Sequence, residues 1–307
     1  MKGPQHRSGF VSIIGRPNTG KSTLLNALTG SKLAIVSGKP QTTRTSIQGV
    51  VNEPGAQIVF IDTPGIHKSD TLFNRRMMET VRAALDERDL ILFVADASVP
   101  MTAADREAVD LARKVRAPTF LLLNKIDRID DKRALLPLIE QYRQLYEFAE
   151  YFPISAATGD GLDPLRRAIV ARLPEGPRYF PPDYLTDQPE RYLAAEIVRE
   201  KILSSTRQEV PHSIAVLIDK WEDSGRLLRI AATVFVERPG QKAIVIGAKG
   251  AMLKSVGSQA RLEMDALFSR KVFLELFVKV RSGWREDPAF LNAIDWRSMA
   301  GDSAIME

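Results

Sequence analysis

The 307-residue chain contains no cysteine. That absence excludes disulfides, thiolate metal sites, a cysteine nucleophile and attachment of prenyl or palmitoyl groups. Histidine is scarce as well: His6, His67 and His212 are scattered, which leaves little material for a histidine-based zinc site. No apolar run approaches the roughly 18–20 residues needed to cross a bilayer, and Leu90–Ala95 is among the longest. The opening residues, MKGPQHRSG, lack the apolar core of a signal peptide, so the cytosol is the expected setting.

What is present is an ordinary globular composition, with 44% hydrophobic and 26% charged residues. The length suggests two domains of roughly 150 residues each. Net charge is +5, but its distribution is uneven. Residues 238–285 hold ten Lys/Arg and three acids, a local excess of +7 that leaves the remainder slightly acidic. A positive field of that kind suits a phosphate-rich polymer or an anionic membrane surface; a solvated helix face is the plainer explanation.

Residues 1–173 alternate short β-rich runs with helical patterns, the signature of a parallel sheet covered by helices. Strands are expected at Phe10–Ile14, Ile47–Asn52, Gln57–Ile61, Leu90–Asp96, Thr119–Asn124 and Tyr151–Ser155. Helices are expected at Lys21–Thr29, Phe73–Leu85, Ala103–Val115, Arg133–Phe148 and Leu162–Leu173, with a cap signal at Thr102 and Asp105. Residues 174–190 carry five of the eighteen prolines and read as a semi-rigid linker. Beyond it, in 191–307, come a helix at Tyr192–Ser204, strands at Ser213–Lys220 and Leu228–Val236, a helix at Ala251–Phe268 and a strand at Val272–Val280. Gln241–Ile246 fits either a short strand or a helical turn.

The strongest chemical signal is Gly15-Arg16-Pro17-Asn18-Thr19-Gly20-Lys21-Ser22, a G-x-x-x-x-G-K-[ST] match between an expected strand and an expected helix. Its glycines let backbone N–H groups wrap a phosphate at a helix N-terminus. Lys21 would reach the β/γ-phosphates and the Ser22 hydroxyl would ligate Mg²⁺. Asp62-Thr63-Pro64-Gly65 follows a strongly apolar strand; its carboxylate can hold Mg²⁺ through water, and the Gly65 N–H can reach a γ-phosphate. Between them lies Lys39-Pro40-Gln41-Thr42-Thr43-Arg44, where a threonine can complete the Mg²⁺ shell; Thr43 is favoured over Thr42, although the sequence does not separate them.

Asn124-Lys125-Ile126-Asp127 selects the base. The Asp127 carboxylate can accept from guanine N1–H and N2–H₂, whereas adenine would leave it unpaired. Lys125 can lie along the base plane and Asn124 can tie this loop to the phosphate loop. Ser155-Ala156-Ala157 would bring the Ala156 N–H to guanine O6. In order, these elements describe a GTP-binding P-loop domain. At the position after Gly65, where a catalytic glutamine would stand, the chain has Ile66, which cannot orient water. Near the C-terminus, Gly247-Ala248-Lys249-Gly250 opens a helix inside the basic stretch, a G-x-x-G turn that lets a single-stranded nucleic-acid backbone approach, with Lys249 pairing phosphate. The three tryptophans could stack on bases, but packing is their commoner use.

With GRPNTGKST, QTTR, DTPGIH, NKID, PDYLTD, EIVREKIL, EVPHSIAV, IVIGAKG and VKVRSGW in place, nearly the whole chain resembles the Era family of bacterial GTPases. The resemblance implies an α/β P-loop NTPase (Ras-like) parallel-sheet domain followed by an α+β type II KH domain. It implies GTP hydrolysis to GDP, binding near the 3′ end of 16S ribosomal RNA, and a role in 30S subunit assembly. Thr19 and Thr23 join the nucleotide-binding set, Lys21, Thr43 and Asn18 the catalytic set, and Lys254 the RNA-binding set. Mg²⁺ is implied as cofactor at Ser22, Thr43 and Asp62, and potassium as a second cation through Asn18. A hydrophobic residue at Ile66 fits the family. The tail Phe290–Glu307 matches less well. Two other classes compete: a tRNA-modifying GTPase, whose C-terminal cysteine motif is missing, and a membrane-associated switch using its basic patch on the inner face of the cell membrane.

Overall fold

A computed structural model describes residues 6–39, 42–66, 71–206 and 213–299. Pro40, Gln41, His67, the Glu209–His212 part of EVPHSIAV and the end of the tail lie outside the described residues. The chain forms two compact units.

The first unit is built on a six-stranded sheet of order β2-β3-β1-β4-β5-β6. Its strands are β1 (Arg7–Ile14), β2 (Ile47–Glu53), β3 (Ala56–Asp62), β4 (Leu90–Asp96), β5 (Thr119–Asn124) and β6 (Glu150–Pro153). All neighbours are parallel except β2 and β3, which pair antiparallel across the tight connection at Gly55. Strands β3, β4 and β5 are buried at every residue, which is why they read as continuous apolar runs. The helices are α1 (Lys21–Thr29), α2 (Leu72–Ala83), α3 (Ala103–Ala112), α4 (Leu135–Leu145) and α5 (Leu162–Arg172). Two apolar clusters flank the sheet, one gathering Leu24, Leu28, Leu165 and Ile169, the other Val81, Val109, Leu138 and Tyr142.

The Thr102–Asp105 signal is a reciprocal capping box at the start of α3. Several elements are shorter than the pattern suggested, and for two the local reason is plain. β6 stops at Pro153 because the Ser155 N–H is taken by the Asp160 carbonyl at 2.9 Å. The helix expected from Arg133 begins at Leu135, after a short 3₁₀ turn capped by the Asp131 carboxylate.

The proline-rich stretch is not a free spacer. Residues up to Asp187 belong to the first unit, and 182–187 lie along the outer edge of β2. Val50 N–H donates to the Leu185 carbonyl at 2.8 Å, Thr186 Oγ1 to Gln48 O at 2.7 Å, and Asn52 Nδ2 to Pro182 O at 2.9 Å. Phe180 and Tyr184 stack at 4.6 Å against the cluster containing Val50 and Val59. The stretch therefore covers a sheet edge whose donors and acceptors would otherwise be open.

The second unit comprises residues 188–307 together with two short segments, Ile35–Thr42 and Asp70–Arg75. Its sheet is β7 (Ala215–Asp223), β8 (Leu227–Val236) and β9 (Lys271–Val280), with β7–β8 antiparallel and β8–β9 parallel. Helices α6 (Glu190–Ser205), α7 (Pro239–Ile246) and α8 (Ala251–Leu267) accompany it, with Ile197, Val234, Val256 and Met264 in their common core. The ambiguous Gln241–Ile246 run is helical: Pro239 supplies the first-turn φ and Gln241 accepts from the Arg238 N–H. Trp284 is fully buried against Phe290, so packing claims it. Phe290 and Leu291, in the short helix α9 (Pro288–Ala293), are buried too, with the Phe290 ring against Phe235 and Trp284.

Candidate functional site

The phosphate loop runs from β1 into α1. Gly20 sits at φ 97°, a left-handed conformation that favours glycine, and a Cβ there would run into the Asn124 amide. Gly65 approaches the loop from the end of β3; a Cβ on it would come within 2.8 Å of Pro17. These close approaches bring the ends of β1, β3 and β5 together over the N-terminus of α1.

Lys21 is buried, and its Nζ donates to the carbonyls of Gly15 (3.1 Å) and Arg16 (2.9 Å). Burial, assisted by the Arg16 charge and opposed by Asp62, lowers its pKa to about 8. Ser22 Oγ lies 2.7 Å from Thr43 Oγ1 and donates to Asp62 Oδ2, also at 2.7 Å. Asp62 is fully buried; desolvation pushes its carboxyl up to about 6 against the opposing Lys21 charge and the Ser22 hydrogen bond. Among the described residues, Asp62 Oδ1 has no hydrogen-bond partner. Two hydroxyls and a carboxylate with a bare, buried oxygen are a hard-oxygen set, the kind Mg²⁺ takes alongside phosphate oxygens. The residues present thus fit that ion. Of the two threonines, the Thr43 hydroxyl stands in this oxygen set, whereas the Thr42 hydroxyl is turned back onto the Lys39 carbonyl at 2.6 Å.

The base-side loop is joined to the phosphate loop by Asn124, whose Nδ2 donates to Thr19 O at 2.8 Å. Asn124 Oδ1 accepts the Ala156 N–H at 2.9 Å. The expectation gave that N–H to guanine O6; here one amide bridges both loops and engages it. Lys125, at φ 69°, donates from Nζ to Asn18 O and to Asp96 Oδ2, both at 2.6 Å. Asp127 is exposed and receives the Ser155 hydroxyl at 2.7 Å.

Sequence reading missed a supporting network. Arg16 grips the Asp105 carboxylate at 2.9 and 3.1 Å, and Asp96 ties Lys125 in place. Burial works against ionised Asp96, but hydrogen bonds from Lys125 and Ser98 hold its carboxyl below the usual range. The available signal was positional: Asp96 ends β4 as Asp62 ends β3 and Asn124 ends β5. Ile66 is buried among Ile14, Val81 and Leu85, so its side chain faces core.

In the second unit the Gly247–Gly250 turn links α7 to α8. Gly247 (φ 73°), Lys249 (φ 50°) and Gly250 (φ 79°) are all left-handed, and a Cβ on Gly247 would lie 2.7 Å from that of Met252. Beside the turn is an open groove of about 400 Å³, with Lys254, Gly257, Ser258 and Arg261 from α8 on one side and Leu274 and Leu276 of β9 on the other. Lys254, Gly257 or Ser258, and Arg261 recur at helical spacing, a signal the sequence reading used only at Lys254. The basic stretch is also less uniform than its total. Arg261, Arg270, Arg281 and Arg285 pair with Asp265, Asp223 and Glu190, Asp287, and Glu237 respectively.

Comparison with known proteins agrees with both halves. Residues 10–125 match a family described as 50S ribosome-binding GTPase, and residues 209–285 match the KH domain. The GTPase Era of Geobacter metallireducens is 52% identical over 292 residues, covering 94% of this chain and 98% of the relative. That of Syntrophus aciditrophicus is 50% identical, covering 93% and 94%. Two solved structures superpose with a TM-score of 0.91 at 42% identity. One is Era with MgGDPNP and nucleotides 1506–1542 of 16S ribosomal RNA, covering 95% of this chain and 99% of that one. The other is an Aquifex aeolicus Era variant bound to GDP and aluminium fluoride, covering 94% and 99%.

Proposed function

The chain belongs to the Era family of GTPases, and we propose that it is a GTP-hydrolysing switch that binds 16S ribosomal RNA near its 3′ end and assists 30S subunit assembly in the cytoplasm. The observation that carries this reading is the pairing, on one chain, of a guanine-selecting loop at Asn124–Asp127 with a glycine-flanked turn beside a lysine-edged groove. Lys254 lines that groove and Lys249 stands in the turn beside it, both outside the arginine ion pairs described above, where a phosphate backbone would meet them.

In the nucleotide site, Ser22, Thr43 and Asp62 would hold Mg²⁺, which supplies positive charge to phosphate oxygens when bound. Lys21 exchanges two loop carbonyls for β/γ-phosphate oxygens, and its buried ammonium is the stronger for being desolvated. With Ile66 in the core, hydrolysis rests on positioning and charge rather than on a side-chain base at that position. Asn18, exposed and left-handed at φ 63°, offers an amide oxygen suited to a potassium ion at the phosphates. Exchanging potassium for sodium should therefore slow hydrolysis, with and without RNA; equal rates in the two salts would remove Asn18 from that role.

The RNA reading is tested by replacing Ala248 and Lys249 with Asp. Affinity for a short single-stranded RNA should fall and its salt slope flatten by roughly one unit per lost phosphate contact, with nucleotide affinity unchanged. RNA binding equal to wild type at every salt concentration, together with sedimentation on anionic liposomes but not on ribosomal subunits, would favour a lipid surface instead.

A further inference from the structure

Helix α6 buries polar groups that its own stability does not require. Arg199 is 1% exposed, and Glu196 and Glu200 are 9% and 5% exposed. All three lie on one helical stripe of an element otherwise packed by Ala195, Val198 and Ile202. A buried guanidinium–carboxylate pair is commonly no more stabilising than apolar side chains of similar volume. This one also leaves Arg199 Nη1 without a hydrogen-bond partner among the described residues, a further cost. The stripe's other contacts show what it holds. Arg199 Nε donates to Glu196 at 2.6 Å, while its Nη2 donates to the carbonyl of Thr42. Glu200 Oε1 accepts the Val36 N–H at 2.8 Å, and Lys201 links Glu200 to Glu263 on α8. Both ends of the Ile35–Thr42 segment are thus fixed by side chains of α6, within the second unit.

The residue bonded to Thr42 along the chain is Thr43, whose hydroxyl stands 2.7 Å from Ser22 Oγ. We propose that Arg199 is a positioning residue for the nucleotide site: by fixing the Thr42 carbonyl it sets the backbone from which the Thr43 hydroxyl reaches the metal-binding oxygens. The proposal rests on the reading of Thr43 as a Mg²⁺ ligand given above. Its consequence is selective. GDP lacks the γ-phosphate whose recognition Thr43 shares, so loosening this anchor weakens binding of a GTP analogue and leaves GDP binding intact.

The test uses the full chain and two fluorescent nucleotides, GDP and a non-hydrolysable GTP analogue, titrated with Mg²⁺. Arg199→Met should lower the GTP-analogue to GDP affinity ratio by about tenfold, the worth of one charge-assisted hydrogen bond, and raise the Mg²⁺ concentration needed for the analogue only. Arg199→Lys, which keeps a donor but not the fork, should restore part of the ratio. Because Arg199→Met strands the Glu196 charge, the paired change Glu196→Gln with Arg199→Met, which buries no net charge, is made alongside it. Thr43→Ala separates the two layers of the argument. If it lowers the ratio while the folded Arg199 variants keep the wild-type value, the anchor is refuted and Thr43 stands. If Thr43→Ala also leaves the ratio unchanged, the Mg²⁺ reading falls and the inference falls with it.

Discussion

Asp127→Asn isolates the choice of base. Asp127 is exposed, and one of its oxygens holds the Ser155 hydroxyl at 2.7 Å. Asparagine can keep that bond through its carbonyl, so the turn at Ser155 should survive the exchange. The new amide then sets an N–H₂ group where an acceptor is needed, donor against donor, opposite guanine N1–H and N2–H₂. Hydrogen bonds to charged groups are worth about 1.5–3 kcal/mol each, so losing two removes about 3 kcal/mol or more. That is a fall in GTP affinity of at least roughly 150-fold at 1.4 kcal/mol per decade. Xanthine carries a 2-oxo acceptor and should bind the variant better than it binds wild type. The assay is parallel titration with guanine and xanthine nucleotides at fixed Mg²⁺, with thermal unfolding as the control for folding. Wild-type GTP affinity in a folded variant would refute the assignment of Asp127.

Two further outcomes follow from burial. Asp62 has its folded pKa raised to about 6 from 3.8, so the metal-free protein binds that proton more tightly when folded; the contribution is present in acid and is lost as pH rises from about 4 through 6. Asp62→Asn should therefore raise the Tm of metal- and nucleotide-free protein near neutral pH, lose that advantage below about pH 4, and abolish Mg²⁺-dependent hydrolysis; a Tm difference that does not vary with pH would contradict the burial argument. Ile66→Val, a loss of one methylene from the core, should cost about 0.5–1.5 kcal/mol in urea unfolding and leave hydrolysis near wild type, whereas a hundredfold loss of kcat would give Ile66 a role in the reaction.

The loops that meet at the candidate nucleotide site were legible where chemistry forces residue type at fixed spacing. Gly15 follows β1, Lys21 and Ser22 open α1, Asp62 ends β3, Asn124 ends β5 and Asp127 lies in the turn after it, and the structure brings these loops together. Thr43 and Thr42 could not be separated, because only the fold shows which hydroxyl is spent on Lys39. The Arg16–Asp105 and Lys125–Asp96 pairs were hidden for a related reason: charged residues 89 and 29 positions apart carry no local pattern. Gln241–Ile246 stayed ambiguous because a short apolar run satisfies both periods, and the deciding signal was Pro239 at the first turn. The polar stripe of α6 runs against the usual exposure of charged side chains: Glu196, Arg199 and Glu200 are all buried, and no local pattern in the sequence marks them.

The strap of residues along β2 bears on how this protein can be divided. A fragment ending at Leu173, where the last helix of the sheet unit closes, would strip the Leu185, Thr186 and Pro182 contacts from β2 and uncover Phe180's apolar seat. Such a fragment would present an unpaired, twisted ribbon edge to every other copy in solution and should self-associate. One ending at Asp187 carries its own selvedge, and should remain monomeric at concentrations where the shorter piece precipitates.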